Sequence, residues 1–102
     1  MKIPKKIKIL GREIKIVFDK ELANREDVSG SAHYRYEKIF IQPSVEGKPR
    51  SEDDIGITFV HELLHFIGFY IAEDKLSDEK LIKRLSEVLY QVLKDNKLDF
   101  SK

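Results

Sequence analysis

Residues 51–71, SEDDIGITFVHELLHFIGFYI, decide the fold, because they predict a long helix that is buried on most of its sides. Apolar residues occupy nearly every face of this run, whereas a surface helix carries a single apolar stripe. Ser51 suits the N-cap position and Asp54 the third helical position, in the manner of a capping box. We therefore predict a helix over about residues 52–71, with the rest of the chain packed around it.

A second helix is predicted downstream, over about residues 77–95. It carries one apolar stripe at helical spacing, which indicates a helix with one face on the core and the other in solvent. The stripe consists of Leu81, Ile82, Leu85, Val88, Leu89 and Val92.

The upstream segment, about residues 5–42, predicts a small sheet. Residues 6–10 and 13–18 alternate apolar and polar side chains, which is typical of half-buried strands, and Gly11-Arg12 suits the turn between them. SAHYRY and KIFIQ predict two more strands that turn near Glu37-Lys38, and residues 43–50, with two prolines and a glycine, predict a surface loop. Strands followed by helices indicate an α+β domain with a mainly antiparallel sheet.

Length and composition narrow the class of protein. The 102 residues suffice for one domain, 1–102, and 19 basic against 18 acidic residues argue against a dedicated nucleic-acid binder. No apolar run is long enough to span a membrane, and the basic N-terminus lacks the apolar segment of a secretory signal. The absence of cysteine excludes disulfides, thiol catalysis and zinc–thiolate sites. We expect a cytoplasmic protein without nucleic-acid or membrane partners, and its oligomeric state stays open.

The first helix contains the chemical motif His61-Glu62-Leu63-Leu64-His65, of the form H-E-x-x-H. Two histidines at i and i+4 lie one above the other on a helix face, so their ring nitrogens can reach one cation. Zn²⁺ accepts imidazole nitrogens and, in catalytic sites, leaves one position open for water. Glu62 lies about 100° round the helix from His61, beside the cation, where it can take a proton from water. The alternative interpretation is a helix with hydrogen-bonded core histidines.

This motif resembles the zinc-binding helix of the zincin metallopeptidases, so the resemblance implies a minimal zincin-like domain. Metzincins extend the motif with a glycine and a third ligand. Gly68 matches the glycine, but the ligand position is Ile71, which cannot bind zinc. Zinc-dependent ribosomal-RNA maturation endonucleases have a similar run and a third histidine, and they fail to match at the same position. A carboxylate is therefore expected as the third ligand, giving His₂Glu or His₂Asp.

The segment Glu79-x-x-Ile82-x-x-Leu85-Ser86 is similar to a segment of ImmA/IrrE-type metallopeptidases whose glutamate binds the metal, so the resemblance favours Glu79. Residues 80–96 also look like the C-terminal helix of small phage and mobile-element proteins that carry an H-E-x-x-H helix. The likeness covers about residues 30–96 and is sharp only at HELLH. The other carboxylates that remain open as third ligand are Glu73, Asp74, Asp78 and Glu87.

In zincins an edge strand before the active helix pairs with an extended substrate, and HYRYEKIFIQ is the candidate for that strand. His33, Tyr34 and Tyr36 are candidates for oxyanion or substrate contacts, although simple packing is the commoner role of aromatic strand residues. The lysines near the N-terminus predict a solvated strand face, with binding of phosphate or an acidic partner as the alternative: Lys2, Lys5, Lys6 and Lys8.

We therefore predict a zinc metallopeptidase that holds one Zn²⁺ through His61, His65 and Glu79 and uses Glu62 as general base on a protein or peptide substrate. The resemblance to repressor-cleaving relatives implies a regulatory protein as substrate. Two alternatives remain open, a zinc-dependent nuclease or other hydrolase and a non-catalytic zinc-binding protein of a mobile element.

Overall fold

The computed structural model describes residues 2–23 and 28–98 as a compact α+β domain, which confirms the predicted fold class. A four-stranded sheet packs on one side of the first long helix, and the second long helix packs on another side of it. The strands are β1 (Lys6–Ile9), β2 (Arg12–Phe18), β3 (Gly30–His33), β4 (Lys38–Ile41), β5 (Ser44–Val45) and β6 (Lys48–Pro49). The helices are α1 (Glu52–Tyr70), a 3₁₀ turn (Asp74–Ser77) and α2 (Glu79–Asp95).

The sheet is mixed, with the strand order β1-β2-β4-β3, so the expectation of a mainly antiparallel sheet needs correction. The pairs β1–β2 and β3–β4 are antiparallel hairpins, as predicted, but β2 and β4 run parallel. The chain leaves β2 and crosses to the far edge of the sheet before β3 begins, so β4 returns between β2 and β3. Alternating hydrophobicity marks a strand and its buried face, but it carries no information on strand order.

Both tight turns of the described chain use two residues with positive φ. Leu10 and Gly11, at φ 52° and 79°, join β1 to β2, so the turn lies one residue earlier than predicted. Glu46 and Gly47, at φ 51° and 79°, join β5 to β6 within the segment that the sequence predicts as a loop. Such turns match the right-handed twist of the strands that they connect, which explains why a short hairpin forms there.

Helix α1 begins as predicted, because the Ser51 hydroxyl accepts a hydrogen bond from the Asp54 backbone N–H at 3.0 Å. It ends at Tyr70, with Ile71 as its C-cap. Its side chains are buried against the sheet on one side and against α2 on another, and Phe59, Val60 and Phe66 are fully buried. The prediction of a helix enclosed on most sides is therefore confirmed.

Helix α2 begins at Glu79 rather than near residue 77, and it presents a different face to the core than the apolar stripe suggests. Ile82, Ser86 and Tyr90 are buried, and the Tyr90 hydroxyl donates to Asp53 at 2.9 Å. Four stripe residues remain 40–60% exposed: Leu81, Leu85, Val88 and Val92. The helix is thus turned by about one residue, roughly 100°, from the predicted orientation. The described part of the chain contains no helix with the length and apolarity needed to cross a membrane.

Candidate metal centre

Helix α1 brings the imidazole rings of His61 and His65 together on one face. Their Nε2 atoms lie 3.3 Å apart. Two nitrogens at adjacent corners of a tetrahedron around zinc, each about 2.0–2.1 Å from the ion, are separated by about 3.3 Å. The His61 side chain is 20% exposed and that of His65 is 9% exposed, so the pair lies at the base of a solvent-accessible site.

Glu79, the first residue of α2, completes the group. Its Oε2 lies 3.0 Å from His61 Nε2, and its Oε1 lies 2.8 Å from His65 Nε2. One ligand atom from each of the three residues falls within 4.8 Å of the other two, a spacing that a single metal ion can bridge. Two imidazoles and one carboxylate form the donor set of a catalytic zinc site, so the residues present fit the predicted Zn²⁺.

A backbone carbonyl fixes the orientation of the His65 ring. The Nδ1 atom of His65 lies 3.0 Å from the Leu76 carbonyl oxygen, and Nδ1 must therefore carry the proton and donate it. This tautomer leaves Nε2 unprotonated and pointing at the metal position. Gly68 permits the arrangement, because a Cβ there would collide with the Leu76 side chain of the 3₁₀ turn. Sequence reasoning missed the role of Leu76, since a main-chain acceptor leaves no residue-type signal.

The electrostatics of His61 also favour a cation. Burial lowers the pKa of His61, against the opposing influence of the nearby Glu79 carboxylate. A lowered pKa keeps the imidazole neutral at physiological pH, and only the neutral ring can donate its lone pair to a metal.

Glu62 is buried beside this group and lines the same cleft. Its burial, together with the negative charge of Glu79, raises the pKa of Glu62 to about 8. No hydrogen bond to its carboxylate is formed within residues 2–23 and 28–98. An acid that is desolvated and lacks a protein partner is suited to proton transfer in a cleft.

The raised pKa predicts that chelator-treated protein loses stability as the pH rises. The folded-state pKa of Glu62, about 8, exceeds the unfolded value of 4.5, so the folded state binds the proton more tightly. The resulting stabilisation is complete below the unfolded pKa and is lost as the pH rises through the folded pKa. Relative to Glu62→Gln, which does not titrate, we expect the wild type to lose roughly 2–5 kcal/mol of unfolding free energy between pH 4.5 and pH 8. Urea denaturation of both chelator-treated proteins measures this difference, and a difference independent of pH would contradict the assignment.

The cleft has a volume of about 790 Å³ and runs between β3, α1 and the beginning of α2. Besides the metal group and Glu62, its walls are formed by residues of three segments. These residues are Val28, Ser29, Gly30, Ser31, Ala32, Tyr34, Asp54, Ile57, Thr58, Ser77, Lys83, Ser86 and Glu87.

Gly30 lets the edge strand β3 approach the Glu62 side chain. A Cβ at this position would lie 2.9 Å from Glu62 Oε2 and would collide with the Thr58 methyl group. The glycine therefore helps to define the position of the carboxylate. Sequence reasoning treated Ser29-Gly30 only as the end of a polar segment.

Arg50 holds the walls of the cleft together, and it was also missed because it lies in a segment predicted as a loop. Its side chain is only 4% exposed and forms an ion pair with Asp54 at 2.8 Å. Its guanidinium donates to the Ser29 and Gln42 carbonyl oxygens at 3.2 and 2.7 Å, and to the Thr58 hydroxyl at 2.5 Å. These bonds attach the residue before β3 to the first turns of α1.

Of the three aromatic candidates, the structure places only Tyr34 at the cleft. Its ring stacks on Phe69, with a centroid distance of 4.4 Å, and burial and the charges of Glu62 and Glu79 raise its pKa. The His33 ring instead packs edge-on against Phe40, and Tyr36 is 67% exposed in the turn between β3 and β4. The strand ends at His33, four residues before the predicted turn at Glu37, so neither side chain lines the cleft.

The alternative carboxylate ligands are placed elsewhere. Asp78 is the N-cap of α2 and accepts hydrogen bonds from the backbone N–H groups of Lys80 and Leu81. Glu73 caps the 3₁₀ turn and, with Asp74, lines a separate pocket of about 350 Å³ on the far side of His65. Glu87 is exposed in the wall of the main cleft. None of the four belongs to the metal-competent group found among the described residues.

The geometry thus joins two imidazoles and a carboxylate to a second, desolvated carboxylate in one cleft. Such an arrangement can hold a divalent cation and accept a proton next to it. Comparison of the chain with protein-family models, with curated proteins and with solved structures finds no match in any of the three.

Proposed function

We propose that the protein is a zinc-dependent metallopeptidase with a minimal zincin-like domain. The observation that carries the proposal is the convergence of His61, His65 and Glu79 on one point, with Glu62 buried beside them at the base of an open cleft. A site that only stored or structurally used zinc would have no need for a fourth, desolvated carboxylate. The resemblance of HELLH to the zincin helix supports the same interpretation.

A bound Zn²⁺ would supply Lewis acidity that brings the pKa of water towards neutrality and polarises the scissile carbonyl. Glu62 takes a proton from the attacking water and then passes it to the nitrogen of the leaving amine. The positive charge of the ion next to Glu62 favours the carboxylate over the acid, which makes Glu62 a competent base near neutral pH. Tyr34, whose raised pKa keeps its hydroxyl protonated, is placed to donate a hydrogen bond to the developing oxyanion.

The sheet supports a peptide as the substrate. β3 is an edge strand that pairs with β4 on one side, and its residues line the cleft next to the metal group. An extended peptide can add to such an edge through main-chain hydrogen bonds and thereby pass across the catalytic groups. We infer that the substrate is an extended or locally unfolded segment of a protein.

Metal removal tests the function directly. Chelated protein should cleave no member of a mixed library of extended peptides, and about one equivalent of Zn²⁺ should restore cleavage, as detected by mass spectrometry. The library covers a narrow sequence preference, which a cleft in a 12.0 kDa domain is expected to impose. Cleavage of RNA without peptide cleavage would favour a nuclease, and stoichiometric zinc without hydrolysis of either would favour a non-catalytic zinc protein.

Replacement of Gly30 by Ala should impair catalysis without loss of metal. The new methyl group displaces Glu62 and Thr58, and we expect kcat to fall by about 10–100-fold, since misplacement by about 1 Å is enough for such a loss. The zinc content should stay at one equivalent, because none of the three ligands contacts Gly30. Gly47→Ala, in the β5–β6 turn, is the matched control, and an equal loss of kcat in both variants would contradict the positioning role.

A further inference from the structure

A row of basic side chains crosses the four-stranded sheet in register. Lys6 of β1 lies opposite Lys15 of β2, and Lys15 lies opposite Lys38 of β4. Lys38 in turn lies opposite His33 of β3. Residues directly opposite each other share one face of a sheet, so these side chains form a line across all four strands. We refer to Lys6, Lys15 and Lys38 as the basic row.

The basic row lies on the outer face of the sheet, the face turned away from α1. Its members alternate along the strands with Ile14, Ile16 and Ile39, which are buried in the core. Successive residues of a strand point to opposite faces, so the lysines point outward. Lys6, whose side chain is 68% exposed, and Lys15 are exposed, and Lys38 is half-buried.

This placement costs stability, since like charges directly opposite each other on a sheet repel. Adjacent strands are only about 4.8 Å apart, which brings the lysine stems close together. An ion pair on this face joins Lys6 to Glu13 at 3.3 Å, and Glu13 lies opposite a further lysine, Lys8. The face therefore carries four lysines and one glutamate, although the whole chain is nearly neutral with a net charge of +1.

Aromatic rings border the basic row. Phe40 occupies the next position along β4 on the same face, opposite Val17 and Ser31. The rings of Phe40 and His33 meet edge-on with a centroid distance of 4.7 Å, and both side chains are half-buried. A flat sheet face with aromatic side chains beside positive charges is suited to the bases and phosphates of an unpaired strand.

We propose that the outer face of the sheet binds single-stranded nucleic acid. The basic row neutralises backbone phosphates, and Phe40 with His33 provides the surface on which a base stacks. Lysine binds phosphate as a point charge, whereas recognition of the carboxylates of an acidic protein favours the fork of arginine, which this row lacks. The acidic residues Asp54, Glu79 and Glu87 line the cleft on the helical side, so a polyanion is directed to the sheet.

Fluorescence anisotropy with labelled single-stranded oligonucleotides of about 12 residues, in RNA and DNA versions, tests this proposal. Three phosphate contacts predict a slope of about −2 for log K against log salt concentration. The triple variant Lys6→Gln, Lys15→Gln, Lys38→Gln should bind at least about tenfold more weakly at low salt. Phe40→Leu should bind about fivefold more weakly at an unchanged salt slope, because stacking is lost while the charges remain.

The matched control changes three exposed lysines elsewhere, Lys48, Lys75 and Lys80, to Gln and removes the same net charge. It should bind almost as well as the wild type. The basic-row triple variant should also keep or raise the urea midpoint, because it relieves repulsion, and this result separates lost binding from unfolding. Absence of binding by the wild type, equal losses in both triple variants, or tighter binding of poly-glutamate than of the oligonucleotide would each overturn the proposal.

Discussion

Glu62→Gln is expected to lower peptide hydrolysis by about 10²–10⁴-fold while leaving the zinc content at one equivalent. The amide has nearly the same shape as the carboxyl group, so the buried position beside Gly30 stays filled. It cannot accept a proton from water, and the general-base step is lost. Single-turnover kinetics with a cleavable peptide, together with elemental analysis of the same sample, measure both quantities.

Glu87→Gln is the matched control for this experiment, because Glu87 lies in the wall of the same cleft but outside the group that converges on the metal position. Its rate should stay within a few-fold of the wild-type rate. If Glu62→Gln hydrolysed peptides at the wild-type rate, Glu62 would have no role as a base. Loss of zinc from this variant would instead mean that Glu62 is a ligand.

His65→Ala and Glu79→Ala are expected to weaken zinc binding by at least about 100-fold, since loss of a direct ligand should exceed the 10–100-fold effect of losing a supporting hydrogen bond. Removal of either side chain leaves two protein ligands, and Nε2 of His65 is the better oriented of the imidazole donors because Leu76 fixes its tautomer. Competition with a chromogenic chelator measures the affinities. Glu87→Ala should retain the wild-type affinity.

The ligand series also decides which carboxylate binds. Wild-type affinity in Glu79→Ala, combined with a loss in His65→Ala, would show that the third ligand is another acid. Glu73 and Asp74 would then be the next residues to replace, because both lie close to His65 on its far side. Wild-type affinity in both variants would end the proposal of a metal centre.

The motif helix was predictable because its determinants are local. Ser51 caps the helix through a bond to a residue three positions away, and His61 and His65 are brought together by a single turn. The identity of Glu79 as the nearest carboxylate could be inferred only from a resemblance. Its position depends on a connection that folds back through a 3₁₀ turn and on the closeness that Gly68 permits.

The aromatic candidates show where pattern reasoning ends. Alternation predicted that His33, Tyr34 and Tyr36 share a strand, but β3 stops at His33, and only Tyr34 reaches the cleft. The positive φ of Glu37 belongs to the turn that follows, where residue type gives a weak signal. Arg50 is the converse case, since a charged residue in a predicted loop proves to be nearly buried and bound to four residues.

By itself the sequence determined the α+β class, the enclosed helix and the pair of histidines that it displays, because these follow from contacts between residues a few positions apart. The tertiary structure alone decided which acid meets the histidines, which face of α2 is buried, and that three lysines from distant strands lie side by side. Such arrangements depend on strand order and helix rotation. Both are set by how whole surfaces pack, and no short stretch of chain encodes them.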